Sequence, residues 1–271
     1  MVVTGGSSGI GLAAAVEFAR RGDEVVLLGR DPGRLARAVD AVRAASPGSA
    51  AVPAYRADFA VLDEVRAAGA RIAAAHERIH VLAGNAGQLP ASLRPTVDGL
   101  DPGMQVNHLA GFLLCHLLLD RMRAAATPQA PARLITTASA AEAWGALDVA
   151  RPGRRQVSRW LSYGAGKQAN ILFTVEAARR WTAGGVVATC FFPGLIRSRF
   201  GIRSPLFSLG KLVFRSAAQG ADTLLWLAHD PAALVPGGYF AFRRPFPATA
   251  RSTDPARAAK LWETSLAAVG L

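Results

Sequence analysis

Tyr163 and Lys167 stand four positions apart, separated only by Gly164, Ala165 and Gly166. Residues at i and i+4 lie on one face of a helix, so the phenol and the ammonium point the same way. A cation beside a phenol favours the phenolate and lowers its pKa from the usual value of about 10. Such a pair suits a proton donor working near neutral pH. On its own the pair also describes a solvated helix face, so its meaning depends on the rest of the chain. A second candidate is the run TGGSSGIG at residues 4–11. Gly5 allows a tight turn, Gly9 lets the backbone approach a pyrophosphate, and Gly11 lets a following helix lie close to a sheet. The N-terminus of that helix then favours phosphate charge. The position of the run, at the first strand–turn–helix junction, makes the signal strong.

The residues at the end of the second strand choose the dinucleotide. An acidic residue there would bind a ribose 2′-hydroxyl and repel a 2′-phosphate. The strand instead ends LLGRD, with Gly29 in the acid's place and Arg30 after it. A guanidinium pairs with a 2′-phosphate in a charge-assisted fork, so NADP(H) is expected rather than NAD(H). The other description of Arg30 is an arginine in a solvated turn. Asp31 comes one residue late and reads as a helix N-cap before PGRLARAV.

The elements that must position these groups alternate along the chain. Strands are expected at 1–4, 24–29, 51–57, 79–85, 132–139 and 185–192, and helices at 10–21, 32–45, 61–77, 103–124 and 162–183. Repeated strand–helix alternation implies βαβ units. The fold class is α/β: a single-domain Rossmann fold over 1–271, a doubly wound parallel sheet with helices on both faces. Past residue 193 the alternation lapses into an irregular stretch (193–216). A helix (217–229), a last strand (237–242) and a closing helix (255–268) complete the chain. The first strand, at four residues, is short for its class.

Of the 271 residues, 51% are hydrophobic and 18% charged, the composition of a globular chain. The longest apolar run, 109–119, falls short of the roughly 20 residues that span a bilayer. The opening residues lack the pattern of a signal peptide. A cytoplasmic protein without integral membrane contact is expected. The net charge of +12 comes from 31 basic residues, of which three are lysines (167, 211, 260) and the remaining 28 arginines. They are scattered, and no nucleic-acid-binding signature accompanies them. No nucleic-acid partner is expected, and a phosphorylated cofactor accounts for the charge. Cys115 and Cys190 sit in apolar runs as core thiols. The five histidines show no metal-ligand spacing, so no metal is expected.

Taken together, the motifs resemble those of the short-chain dehydrogenases/reductases. TGGSSGIG matches that family's TGxxxGxG loop, GNAG (84–87) its NAG motif, and YGAGK its YxxxK. QVNHLAGFLL (105–114) holds the expected Asn107, and LITTAS places Ser139 at the end of the fifth strand. The stretch YGAGKQANILFTVEAARR, the wide gap between Ser139 and Tyr163, FFPGLIRS and the tail are similar to the retinol dehydrogenase-like branch. Ser198 stands where the family's PGxxxT motif has Thr, keeping a hydroxyl, and Ala83-Gly84 replaces an Asn before NAG. The N-terminal hydrophobic anchor of many animal relatives is not expected here, which argues against a membrane enzyme.

The resemblance implies hydride transfer between a nicotinamide and the carbonyl or alcohol of a small-molecule substrate. Tyr163 would be the general acid or base and Ser139 would orient the substrate oxygen. Lys167 would hold the ribose and lower the Tyr163 pKa, and Asn107 would hold a proton-relay water. Cofactor contacts are expected from Gly5, Ser7, Ser8, Gly9, Ile10, Gly11, Arg30, Asp58, Asn85 and Gly87. Tyr163, Lys167, Pro193, Gly194, Ile196 and Ser198 complete that set. Substrate choice is assigned to 88–97 and to lid segments near 140–161 (Trp144, Trp160) and 199–215 (Phe200, Phe207, Phe214). Their rings suggest a fairly large apolar or aromatic substrate, or equally serve only to pack a lid. A tailoring enzyme performing cyclisation or C=C reduction is the alternative, and a non-catalytic dinucleotide-binding protein a third. Relatives form homodimers or homotetramers through the helices carrying Asn107 and Tyr163, and the branch includes monomers, so the resemblance leaves the oligomeric state open.

Overall fold

A computed structural model describes residues 1–196 and 214–271. One eight-stranded sheet runs through it: β1 (Val2–Thr4), β2 (Val26–Gly29), β3 (Ala54–Arg56), β4 (Val81–Gly84), β5 (Ala132–Thr137), β6 (Val186–Phe191), β7 (Tyr239–Ala241) and β8 (Arg244–Pro245). Their spatial order is β3-β2-β1-β4-β5-β6-β7-β8, parallel except for the last pair. β1 is flanked by β2 and β4, with Val2 opposite Val26 and Leu82. Strand order therefore reverses at β1, and in open α/β sheets ligands bind in the crevice beyond the strand ends at that point.

The strands are short and apolar because both faces are covered. Val2, Val3 and Thr4 are all buried, as is every residue of β6. On one face lie α1 (Gly9–Arg20), α2 (Pro32–Ala45) and α6 (Ala217–His229), closing a core around Phe18, Leu27, Ile135 and Leu224. On the other lie α3 (Leu62–Ala75), α4 (Ala110–Ala125) and α5 (Arg159–Trp181), with Ile72, Leu82, Phe112 and Leu113 buried between them. Each such side chain contributes about 1.5–3 kcal/mol of hydrophobic stabilisation. The closing helix α7 (Pro255–Val269) lies on α5 and α4. Its Trp262 stacks on Phe173 at 5.7 Å and meets Phe112, His116 and Trp181 edge-on.

Three features depart from the sequence reading. α4 is preceded by a helical turn, Pro102–Met104, and a π turn, Gln105–Leu109, where one regular helix was expected. Helix α5 starts three residues early because Ser158 caps it, accepting from the Trp160 N–H at 3.2 Å. β8, two residues long and containing a proline, was not expected. Phe242 and Arg243, both at positive φ, make the tight turn into it. No helix among the described residues is long and apolar enough to cross a membrane.

Candidate active site

The glycine run forms the turn between β1 and α1. Gly5 (φ +65°) and Gly9 (φ +56°) occupy the left-handed region that favours glycine. At Gly11 a Cβ would lie 2.5 Å from the Gly5 carbonyl oxygen, so only glycine lets the helix come this close. Ser8 is the N-cap residue of α1, yet its hydroxyl makes no capping bond. It lines a cleft of about 230 Å³ together with Ser7, Arg30, Asp58 and Gly87. Asp31 caps α2 by accepting from the Arg34 N–H at 2.8 Å, which holds its carboxyl below the usual range. Arg30 reaches toward Asp58 at 3.8 Å, and Asp58 also accepts from the Ala60 N–H.

Arg34 lines the same cleft and was not singled out from the sequence. Its signal was present: a basic side chain in the first turn of a helix opposes the helix dipole. Asn85 is placed differently from the other expected cofactor residues. Its amide lies beneath the turn, donating to the Thr4 carbonyl at 3.2 Å and accepting from Thr137 at 3.4 Å, and it ties β4 to β1 and β5. Ile10 and Ile196 meet at Gly220 on α6, where a Cβ would lie 3.2 Å from one and 2.6 Å from the other. The segment after β6, with Pro193 and Gly194 (φ +87°), is thus brought to the start of α1. Ser198, Phe200 and Phe207 lie outside the described residues; Phe214 lies within them.

The catalytic candidates gather at the ends of β4 and β5. Ser139 caps the short turn Ala140–Trp144, accepting from the Ala141 N–H at 3.2 Å, and shares a side-chain hydrogen bond with Tyr163. Tyr163 is buried against Leu89 and Ala141. Lys167, one turn along α5, has its Nζ 5.5 Å from the Tyr163 ring centroid and donates to the Thr137 carbonyl at 2.9 Å. Room for this comes from small residues. A Cβ on Gly87 would lie 2.6 Å from Asn107 Oδ1 and 3.0 Å from Lys167 Nζ.

One expectation, the direction of the Tyr163 shift, is revised. Burial pushes the Tyr163 phenol up to about 12, with the Ser139 hydrogen bond pulling the other way. The shift is opposite to the lowering expected from Lys167, because a buried phenolate would lose its water. Burial likewise brings Lys167 down to about 8. The Asn107 side chain braces the backbone: Nδ2 donates to the Gln88 and Gly103 carbonyls at 2.9 and 2.8 Å, and Oδ1 accepts from the Gln88 N–H at 3.0 Å. Its main-chain carbonyl accepts from Asn170 Nδ2 at 3.0 Å. Asn107 sits in the π turn, an irregularity frequent at functional sites.

Trp144 and Trp160 flank the site half-exposed. Phe192 and Phe246 lie behind it, packed around Ala138 and Tyr239. Among the described residues no cluster of His, Cys, Asp or Glu could hold a metal ion.

A glycine turn at the switch point of a doubly wound sheet, with a Ser–Tyr–Lys group beside it, defines a nucleotide-dependent oxidoreductase of the Rossmann type. Comparison with known proteins gives the family. The family model described as short chain dehydrogenase matches residues 1–204. The chain is 46% identical to a Streptomyces protein named "Putative daunorubicin C-13 ketoreductase DnrU", covering all of this chain and 92% of that one. It is 33% identical to mouse retinol dehydrogenase 12, covering all of this chain and 86% of the relative. A crystal structure of a Mycobacterium paratuberculosis protein superposes with a TM-score of 0.77 at 30% identity, covering 99% of this chain and 92% of that one. The chain belongs to the short-chain dehydrogenase family, on its retinol dehydrogenase-like branch.

Proposed function

We propose that this oxidoreductase is an NADP(H)-dependent carbonyl reductase for fairly large apolar or aromatic ketones or aldehydes. The observation that carries the reading is the convergence of Ser139, Tyr163 and Lys167 beside a cleft lined by two guanidinium groups, Arg30 and Arg34. The residues fit a phosphorylated dinucleotide. The positive-φ glycines and Gly11 permit close backbone approach, Ser8 has a hydroxyl not used by its helix, and no acid occupies the end of β2. The relative named as a ketoreductase supports the direction and the class of substrate.

When bound, the nicotinamide supplies the hydride. Tyr163 donates its proton to the carbonyl oxygen, and Ser139 holds that oxygen by a second hydrogen bond. The high Tyr163 pKa keeps the phenol protonated at neutral pH, the form an acid in the reductive direction needs. Lys167, anchored on the Thr137 carbonyl, would hold the ribose hydroxyls and present positive charge to the phenol as it gives up its proton. The apolar flank of Leu89 and Ala141, with Phe192 and Phe246 behind, supports an apolar substrate. The free, buried Cys115 and Cys190 agree with a cytoplasmic location.

Following absorbance at 340 nm with NADPH or NADH against aromatic and aliphatic ketones, aldehydes and enones tests the reading. NADPH oxidation by a ketone or aldehyde is the expected result. Turnover of enones alone would transfer the reading to C=C reduction, and cofactor binding without any turnover would sink the enzyme reading.

Of the oligomeric states left open, this reading favours the monomer over a dimer or tetramer through α4 and α5. The chain's own α7 lies on those helices, with Trp262 filling their aromatic cluster and Ser265 bonded to His108. Sedimentation velocity at micromolar concentration is expected to show a single-chain species, and a stable dimer would overturn this.

A further inference from the structure

Four buried polar residues outside the usual catalytic set, Thr137, Asn170, His108 and Ser265, connect Lys167 to the closing helix. The Thr137 carbonyl that accepts from Lys167 Nζ at 2.9 Å also accepts from Asn170 Nδ2 at 3.1 Å. The same Nδ2 donates to the Asn107 carbonyl at 3.0 Å. With both amide hydrogens on carbonyls, Asn170 Oδ1 is left facing His108 Nδ1 at 3.2 Å. An amide oxygen only accepts, so Nδ1 must carry the ring proton of His108. Nε2 must then accept, and its partner at 3.2 Å is the Ser265 hydroxyl of α7. Burial holds His108 down to about 4, so the ring stays neutral and in this tautomer. Lys167, Asn170, His108 and Ser265 are all at most 6% exposed, so every lost bond here leaves a buried group unpaired.

We propose that Asn170 is a positioning residue for this site: its amide fixes the Thr137 carbonyl that anchors Lys167 together with the neighbouring Asn107 carbonyl, and His108 and Ser265 lock the orientation of that amide from behind. The inference rests on the reading of Lys167 as part of the reductase site. One side chain thereby ties the end of β5, two residues before Ser139, to the π turn carrying Asn107. The closing helix, which touches neither substrate nor cofactor in this reading, sets the precision of that junction through Ser265. Among the described residues the titratable group facing Lys167 is Tyr163, on its own helix. His108 is turned to Asn170, and among the described residues no carboxylate is ion-paired with Lys167.

The chain has only three lysines, so side-chain labelling with [13C]lysine resolves the Lys167 signal in the whole protein, assigned by its loss in Lys167→Met. Its midpoint is expected near 8 in the native protein. Asn170→Leu removes the N–H that shares the Thr137 carbonyl, leaving a stronger acceptor for the ammonium. The midpoint should rise by about half a pH unit, and kcat for carbonyl reduction should fall about tenfold. Ser265→Ala should move both in the same direction by less, and the double variant should match Asn170→Leu alone, the mark of residues acting as a unit. A folded Asn170→Leu protein whose Lys167 midpoint is unmoved or lowered overturns the proposal. Should Asn170→Leu not fold, an unmoved midpoint in Ser265→Ala overturns it instead. The lysine signal is read without turnover, so failure of the reductase reading would show in the absorbance assay and leave this test standing.

Discussion

Tyr163→Phe is expected to lower kcat for carbonyl reduction by about 10²–10⁴-fold, the usual contribution of a positioned general acid. NADPH affinity should change little. The hydroxyl is the only atom removed, and the ring keeps its contacts with Leu89 and Ala141. Steady-state kinetics together with NADPH fluorescence titration separates the two effects, and a variant retaining more than about a tenth of native kcat would rule Tyr163 out as the acid. The native enzyme should also show a pH limb of definite sign. Reduction needs Lys167 as its ammonium and Tyr163 as its phenol. Burial brings Lys167 down to about 8 and pushes Tyr163 up to about 12. The first group to leave its working form as pH rises is therefore Lys167, and kcat should decline through about pH 8. An enzyme whose Tyr163 were the low-pKa member would instead lose activity far lower on the scale.

The second large effect concerns the cofactor. Arg30 and Arg34 border one cleft, and Arg30 is only loosely paired, 3.8 Å from Asp58. Charge-assisted hydrogen bonds to a phosphate are worth about 1.5–3 kcal/mol each. Arg30 is more than half exposed, so solvent screening brings its share to the low end. Arg30→Ala or Arg34→Ala should each raise the NADPH Kd about tenfold, and the double variant by about a hundredfold, with the NADH Kd nearly unchanged. Added salt should weaken NADPH binding in the native protein and have less effect in the double variant. Equal losses for both dinucleotides would mean that the arginines shape the cleft without reading the 2′-phosphate.

Much of the fold was legible because its signals are local. The alternation of short apolar runs with amphipathic stretches marks βαβ units wherever it occurs, and α2 and α6 lie where the residues predict them, at 32–45 and 217–229. Asp31 was legible as an N-cap because capping depends on the next three residues. β8 was not, since two residues with a proline carry no period, and its pairing is decided by the turn at Phe242 and Arg243. The π turn was hidden for a similar reason, being a local change in hydrogen bonding that the apolar pattern does not record.

The chemistry divides along the same line. Residue types and spacing alone determined the glycine turn, the Tyr163–Lys167 pair on one helix face and the absence of an acid at the end of β2, because each is a matter of backbone geometry over a few residues. Burial belongs to the assembled molecule. Only the tertiary structure decided that desolvation raises the Tyr163 pKa, that Asn107 directs its side chain to Gln88 and Gly103, and that Arg34 joins Arg30 at the cleft. The pairing of His108 with Ser265, 157 positions away, could not be read from either neighbourhood. The strength of a charge or a hydrogen bond depends on how much water the rest of the chain excludes, and that is settled only when distant segments meet.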